Sequence, residues 1–151
     1  MIIRQALPGD VDAIFDIRLS VRENYLSPAE LTARGITKQA FPGWLAEGKG
    51  IWVAEIDQVV AGFAIAWPKE ATIWALFVDP RFEGRGVGAA LLTVAETWLF
   101  DQGCADISLT TDANPRIRAH GFYQHMGWHH TGDADKGKTE YIKSDPAGFT
   151  F

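Results

Sequence analysis

The chain is expected to fold as an α+β domain, a mixed and mainly antiparallel sheet flanked by helices. Three observations carry that expectation. After a first short strand helical periodicity governs the chain, strand patterning resumes at Ile51, and "FVDPRFEGRGVGAALLTVAETWLF" joins a strand to an amphipathic helix through Gly84, Gly86 and Gly88. The 151 residues suit one domain spanning 1–151.

"MIIRQAL" alternates as a first strand, and Asp10 is placed to cap the helix that follows. There Ile14, Ile17 and Val21 recur at i, i+3 and i+7, which predicts a helix to about Asn24. Ser27 before Pro28 is a second start signal, and a third helical piece breaks or begins near Pro42. "IWVAEI" and "VVAGFAIAWP" flank Asp57 and Gln58 and read as a hairpin, with "ATIWALFVD" the next strand. Ala90, Leu91, Val94 and Trp98 then form one helical stripe, which Gly103 stops. "DISLTTD" reads as a strand and "NPRIRAHGFYQHM" as a helix with Asn114 as cap and Pro115 first; "GWHHTGD" and "KTEYIKS" close the sheet.

Composition narrows the classes. The longest apolar run, "VVAGFAIAW", is far short of the roughly 18 residues of a membrane span, and the first residues lack the apolar core of a signal peptide. A cytoplasmic location is the expectation, with no membrane partner. A lone Cys104 allows no intrachain disulfide and reads as a small buried apolar residue. The net charge of −5 argues against a nucleic-acid partner. No metal is expected: His129 and His130 point to opposite faces of a strand, and His120 and His125 are not an i, i+4 pair.

The order strand, glycine turn, helix reads as a phosphate site, because the first amides of a helix are unpaired and lie at its positive end, the alternative being that the glycines only shape a tight turn. A Walker loop is excluded, since Ala89 and Ala90 stand where lysine and a hydroxyl residue are needed. Gly84, Gly86 and Ala89 can be matched to a dinucleotide fingerprint. However, "PRFE" separates strand from glycine, and Asp106 opens its strand instead of ending it.

These residues resemble a known family. "WALFVDPRFEGRGVGAALL" is similar to the acetyl-coenzyme A motif of the GNAT superfamily of N-acetyltransferases, a strand ending V-D-P before Q/R-x-x-G-x-G/A and a helix. "RAHGFYQHMGW" resembles its second motif, and the order of elements matches over nearly the whole chain. The resemblance implies a single-domain GNAT-like fold and acetyl-CoA as cosubstrate. Leu76, Phe77 and Val78 would bind the pantetheine arm through their backbone; Gly84, Arg85, Gly86, Val87, Gly88 and Ala89 would offer amides to the pyrophosphate. Asn114 is a further candidate for the pantetheine, with helix capping as its alternative. Glu83 departs from the motif's Gln or Arg; it is expected to turn to solvent, with Arg85 or Arg81 compensating. Arg116 and Arg118 are candidates for the adenosine 3′-phosphate, or are solvated helix charges.

The implied reaction is direct attack of an amine on the thioester in a ternary complex. An alkyl ammonium is neutral in only about one molecule in a few thousand at pH 7, so a base or water relay is needed. The strand position that supplies a glutamate in some relatives is near Thr111 here; Glu23 is the substitute, its alternative being a solvated charge at a helix end. Tyr123 takes the place of the family's proton donor to the departing thiolate, although a helix tyrosine is more often core. Val78 is the candidate oxyanion donor, and Trp67 and Trp74 are candidates to stack on an acceptor. The acceptor is a small-molecule or peptide amine, and relatives' pairing allows a homodimer. A binding or regulatory module without transfer, and an acyltransferase using another acyl-CoA, are the alternatives.

Overall fold

Asp57 and Gln58 turn the first hairpin with φ of 49° and 65°, the two positive angles of a type I′ turn, which suits the twist of the strands it joins. Those strands are β2 (Gly50–Ile56) and β3 (Val59–Trp67). β1 (Ile2–Gln5) pairs antiparallel with β2, and β4 (Thr72–Val78) antiparallel with β3. β5 (Asp106–Asp112) pairs with β7 (Lys138–Ser144), and β6 (His129–Ala134) closes the edge. The sheet has seven strands in the order β1-β2-β3-β4-β5-β7-β6, with β4 and β5 its parallel neighbours. The mixed, mainly antiparallel α+β expectation therefore holds. The computed structural model describes residues 1–134 and 137–146; the rest of the expected 1–151 domain lies outside the described residues.

Both faces of the sheet are covered, which is why β3 is a continuous apolar run and not an alternating one. On one face Ile51, Val53, Phe63 and Ile65 pack under α1 (Val11–Ser20) and α3 (Phe41–Ala46). On the other, Trp52, Ala64 and Ile73 pack under α4 (Val87–Asp101). Gly62 allows that helix its approach: a Cβ there would lie 2.9 Å from both Phe77 O and Val87 Cγ1. α2 (Pro28–Ala33) carries a reciprocal cap, Ser27 Oγ accepting from Glu30 N–H while Glu30 accepts from Ser27 N–H.

Three local readings change. Asp10 sits before α1 without capping it; its carboxylate takes the Leu7 N–H and the Arg4 guanidinium, which holds it below the usual carboxylate range. α1 stops at Ser20, ahead of the expected end near Asn24. On α4 the buried row is Leu91, Leu92, Ala95, Glu96 and Leu99, rotated from the expected stripe.

The rotation follows from what covers the second flank of α4. Glu96, only 6% exposed, accepts from Trp128 Nε1 at 2.6 Å and Lys143 Nζ at 3.0 Å, tying the helix to the segments around α5 (Ala119–His125) and β7. Removing one partner of a buried carboxylate leaves it unsatisfied. Lys143→Met should therefore cost about 1–3 kcal/mol, read as a lower urea midpoint at unchanged slope. The double change with Glu96→Gln should recover part of the loss; no recovery would mean that the bond contributes nothing.

Candidate active site

β4 and β5 touch at one end and then part. Their register is Thr72 against Ser108, fixed by Ser108 N–H to Ala71 O at 2.9 Å and Thr72 Oγ1 to Ser108 O at 2.9 Å. A bulge between Ile65 and Ala66 bends the β3–β4 pair just beyond. Asp79 N–H bonds Ala61 O at 2.8 Å, so by the alternation of an antiparallel ladder Phe77 turns its backbone to β3. Leu76 and Val78 then turn theirs to the gap, where β5 offers no partner.

The gap is held open by a wedge that sequence reasoning missed. Asn24, at φ 57°, accepts from Asp112 N–H at 2.8 Å and donates to Thr111 Oγ1 at 3.1 Å, taking the free edge of β5 for itself. Its carbonyl accepts from Arg18 Nη2 at 2.9 Å. Asparagine tolerates the left-handed region better than most residues, so a signal existed, but its partners lie far along the chain. Arg18 also had a signal: it extends the Ile14 row of α1 by one turn, a charged residue on an apolar face.

After β4 the chain makes a 3₁₀ turn (Pro80–Phe82), in which Asp79 accepts from the Arg81 N–H at 2.9 Å and its guanidinium at 2.7 Å. Arg81 thereby holds the Asp79 carboxyl below its usual range. Gly84 and Gly86 follow at φ 74° and 78°, and α4 starts with Ala90 N–H bonding Gly86 O. No backbone bond of residues 84–89 uses their N–H groups among the described residues. The carried-over amides of Gly84, Arg85, Gly86, Val87, Gly88 and Ala89 are thus free donors at a helix N-terminus.

Turn and gap open into one cleft of about 620 Å³, a size typical of ligand sites. On the α4 face it is lined by Gly84, Gly86, Gly88, Ala89, Phe122 and Tyr123; through the gap it continues to Ile14, Phe15 and Arg18 of α1 and Trp44 of α3 on the opposite face. Tyr123 is 8% exposed, its ring edge-on to Phe122 and Trp128 at 5.2 and 6.1 Å. Burial pushes its phenol up, and the hydroxyl has no hydrogen-bond partner among the described residues. The ring belongs to the core and also lines the cleft.

Glu83 lines the cleft as well, and its partner is neither Arg81 nor Arg85. Arg118 binds it bidentately at 2.9 and 3.0 Å and holds its carboxyl below the usual range. Arg81 is committed to Asp79, and Arg85 lies over Phe82 at 5.5 Å. Arg118 also gives its N–H to Glu23 at 3.1 Å, with Nε 3.6 Å away. A single arginine thus bridges the α1–α2 connection, the glycine turn and the start of α5. Asn114 sits in a turn of its own, accepting from Arg116 N–H at 3.0 Å, five residues before α5 opens at Ala119; it and Arg116 are not among the cleft-lining residues. Trp74 lines the cleft, edge-on to Trp44 at 5.0 Å, whereas Trp67 covers Lys49 at 3.9 Å outside it. His120 has both ring nitrogens engaged: Nε2 faces the carbonyls of Asp112 and Asn114, so it carries the proton, and Nδ1 accepts from Tyr141.

A sheet parted between parallel neighbours, with a helix N-terminus presenting bare amides at the mouth of the parting, is a geometry suited to an extended phosphate-bearing ligand. The family model described as acetyltransferase (GNAT) family matches residues 12–128. The chain belongs to that family, a family of acyltransferases. It is 25% identical over 142 residues to aminoglycoside N(6′)-acetyltransferase type 1 of Stenotrophomonas maltophilia, covering 85% of this chain and 86% of the relative. It is 32% identical over 95 residues to N-acetyltransferase 8B of Homo sapiens, 58% of this chain and 41% of that one. In fold it is similar to PaiA N-acetyltransferase of Thermoplasma acidophilum, solved in complex with coenzyme A, with a TM-score of 0.78 at 16% identity over 95% of this chain and 98% of that one.

Proposed function

We propose that the protein moves an acetyl group from acetyl-CoA to a primary amine by direct attack in a ternary complex. The observation that carries this reading is convergence: the free amides of residues 84–89, the free β4 edge at Leu76 and Val78, and Tyr123 all meet one cleft. The pyrophosphate fits the bare amides of the glycine turn. The pantetheine arm, an amide-rich chain, fits the unpaired edge of β4, with Leu76 and Val78 the bonding residues and Phe77 the wall between them.

Attack forms a C–N bond and places negative charge on the carbonyl oxygen. The Val78 N–H, fixed in the sheet and aimed at the gap, is the donor for that oxyanion. As the C–S bond breaks, Tyr123 gives its proton to the thiolate and recovers one from solvent. Burial keeps the phenol protonated and also makes it a weaker acid, so the transfer is uphill and is completed by exchange with solvent. The amine's proton leaves through water. Glu23 is the carboxylate beside that route; both its oxygens accept from the Arg118 N–H, at 3.1 and 3.3 Å, and each keeps a lone pair for water. Cys104 lies outside the cleft, and burial pushes its thiol up, which agrees with a route that has no acyl-enzyme.

Thiol release with acetyl-CoA and a panel of amines tests the reading. Turnover that saturates in both substrates, with no burst of thiol when the amine is omitted, is expected. Coenzyme binding without turnover of any amine would favour a binding module, and faster turnover of another acyl-CoA would change the donor.

A further inference from the structure

One part of the cleft carries three cations within reach of one another, while Arg22, also a lining residue, lies by Glu83. Arg18, Arg34 and Lys138 line it, with Ile14, Phe15, Ile36, Trp44 and Trp74 as apolar walls. The carboxylates elsewhere in the cleft, Glu23 and Glu83, are both engaged by Arg118. Asp112, in register with Lys138, accepts from Asn114 N–H and does not line the cleft. Arg18 lies over the Phe77 ring at 4.1 Å. Its Nη2 donates to Asn24 O, while Nη1 is buried with no hydrogen-bond partner.

A buried guanidinium N–H without an acceptor is rare, because most buried polar groups are paired. The three cations also sense one another. Burial lowers Lys138, and Arg34 and Arg18 add to that effect while Asp112 opposes it. An anionic group entering there would satisfy the orphan donor and relieve the mutual repulsion. A polycationic acceptor would worsen it. Position sets the reach: Phe77, beneath Arg18, lies between Leu76 and Val78, so the anion would stand a few bonds from an amine at the gap.

The geometry points to an acceptor that is a small amine bearing a carboxylate, of the amino-acid class, whose carboxylate is held by Arg18 with Arg34 and Lys138 and whose side chain lies against Trp44 and Trp74. This deepens the proposed transfer and rests on it for the role of the amine. Binding and turnover are therefore measured separately. In the binding arm, calorimetry compares N-acetyl-phenylalanine with N-acetyl-phenethylamine, which lacks the carboxylate. The acid should bind at least about 100-fold tighter, and Arg18→Met should remove most of that difference. Equal binding of the two overturns the anion site, whatever the enzyme turns over. In the turnover arm, the ratio of kcat/KM for phenylalanine over phenethylamine should exceed about 100 and collapse in Arg18→Met. Faster turnover of spermidine or an aminoglycoside overturns the proposal. Should Arg18→Met fail to fold, Arg34→Gln and Lys138→Gln must each reduce the same preference. Retained acid binding with no turnover of any amine upholds the anion site and sinks the transfer reading instead.

Discussion

Tyr123→Phe is expected to lower kcat about 10- to 100-fold while leaving the KM for acetyl-CoA and the melting temperature nearly unchanged. The hydroxyl has no protein partner among the described residues, so its loss breaks no internal bond, and the phenyl ring keeps its edge-on contacts with Phe122 and Trp128. A purely structural tyrosine would give a different outcome, with kcat untouched or stability and turnover falling together. The effect stays at the low end of acid catalysis because a thiolate, with a conjugate pKa of about 8.5, is already a fair leaving group. The sign with pH follows from burial, which disfavours the phenolate and raises the group. The acid form therefore persists through the alkaline range, and no descending limb below about pH 10 belongs to this residue. A limb near neutrality that vanishes in the Phe variant would refute the assignment.

Gly86→Val should weaken coenzyme A binding by at least about 100-fold, roughly 2.7 kcal/mol, with the chain still folded. An added Cβ would meet nothing within 4 Å, so that atom has room. The obstacle is the backbone, at φ 78°, where a β-branched residue is strained by about 1–3 kcal/mol. The turn relieves that strain by rotating its peptide planes, and the amides of residues 84–89 then no longer converge. Gly103→Val is the control: it imposes the same kind of strain at φ 95°, also with nothing within 4 Å, at the opposite end of α4. It should lower stability comparably and leave coenzyme binding intact. Calorimetric titration of both variants separates the effects, and equal affinity in Gly86→Val and wild type would sink the phosphate-turn assignment.

Features governed by neighbours in sequence were legible in it. The hairpin at Asp57 and Gln58, the cap at Ser27 and the strand, glycine turn and helix from Phe77 onward each depend on φ, ψ preferences and bonds within a few residues. The start of α5 was misread for the complementary reason. Asn114 closes a local turn that mimics a cap, whereas the N–H at the helix start is taken by Glu23, 95 residues away.

The sequence by itself determined the alternation of elements and the bare helix N-terminus, because local rules suffice for each, while Tyr123 was singled out by a family resemblance. Only the tertiary structure decided that Asn24 wedges the sheet open from 88 residues off, that Arg118 answers Glu83 across 35, and that Arg18, Arg34 and Lys138 face one cavity. Those are pairings of charge and hydrogen-bonding capacity between distant segments. No periodicity encodes which cation will meet which acid until the strands have parted and the helices have packed.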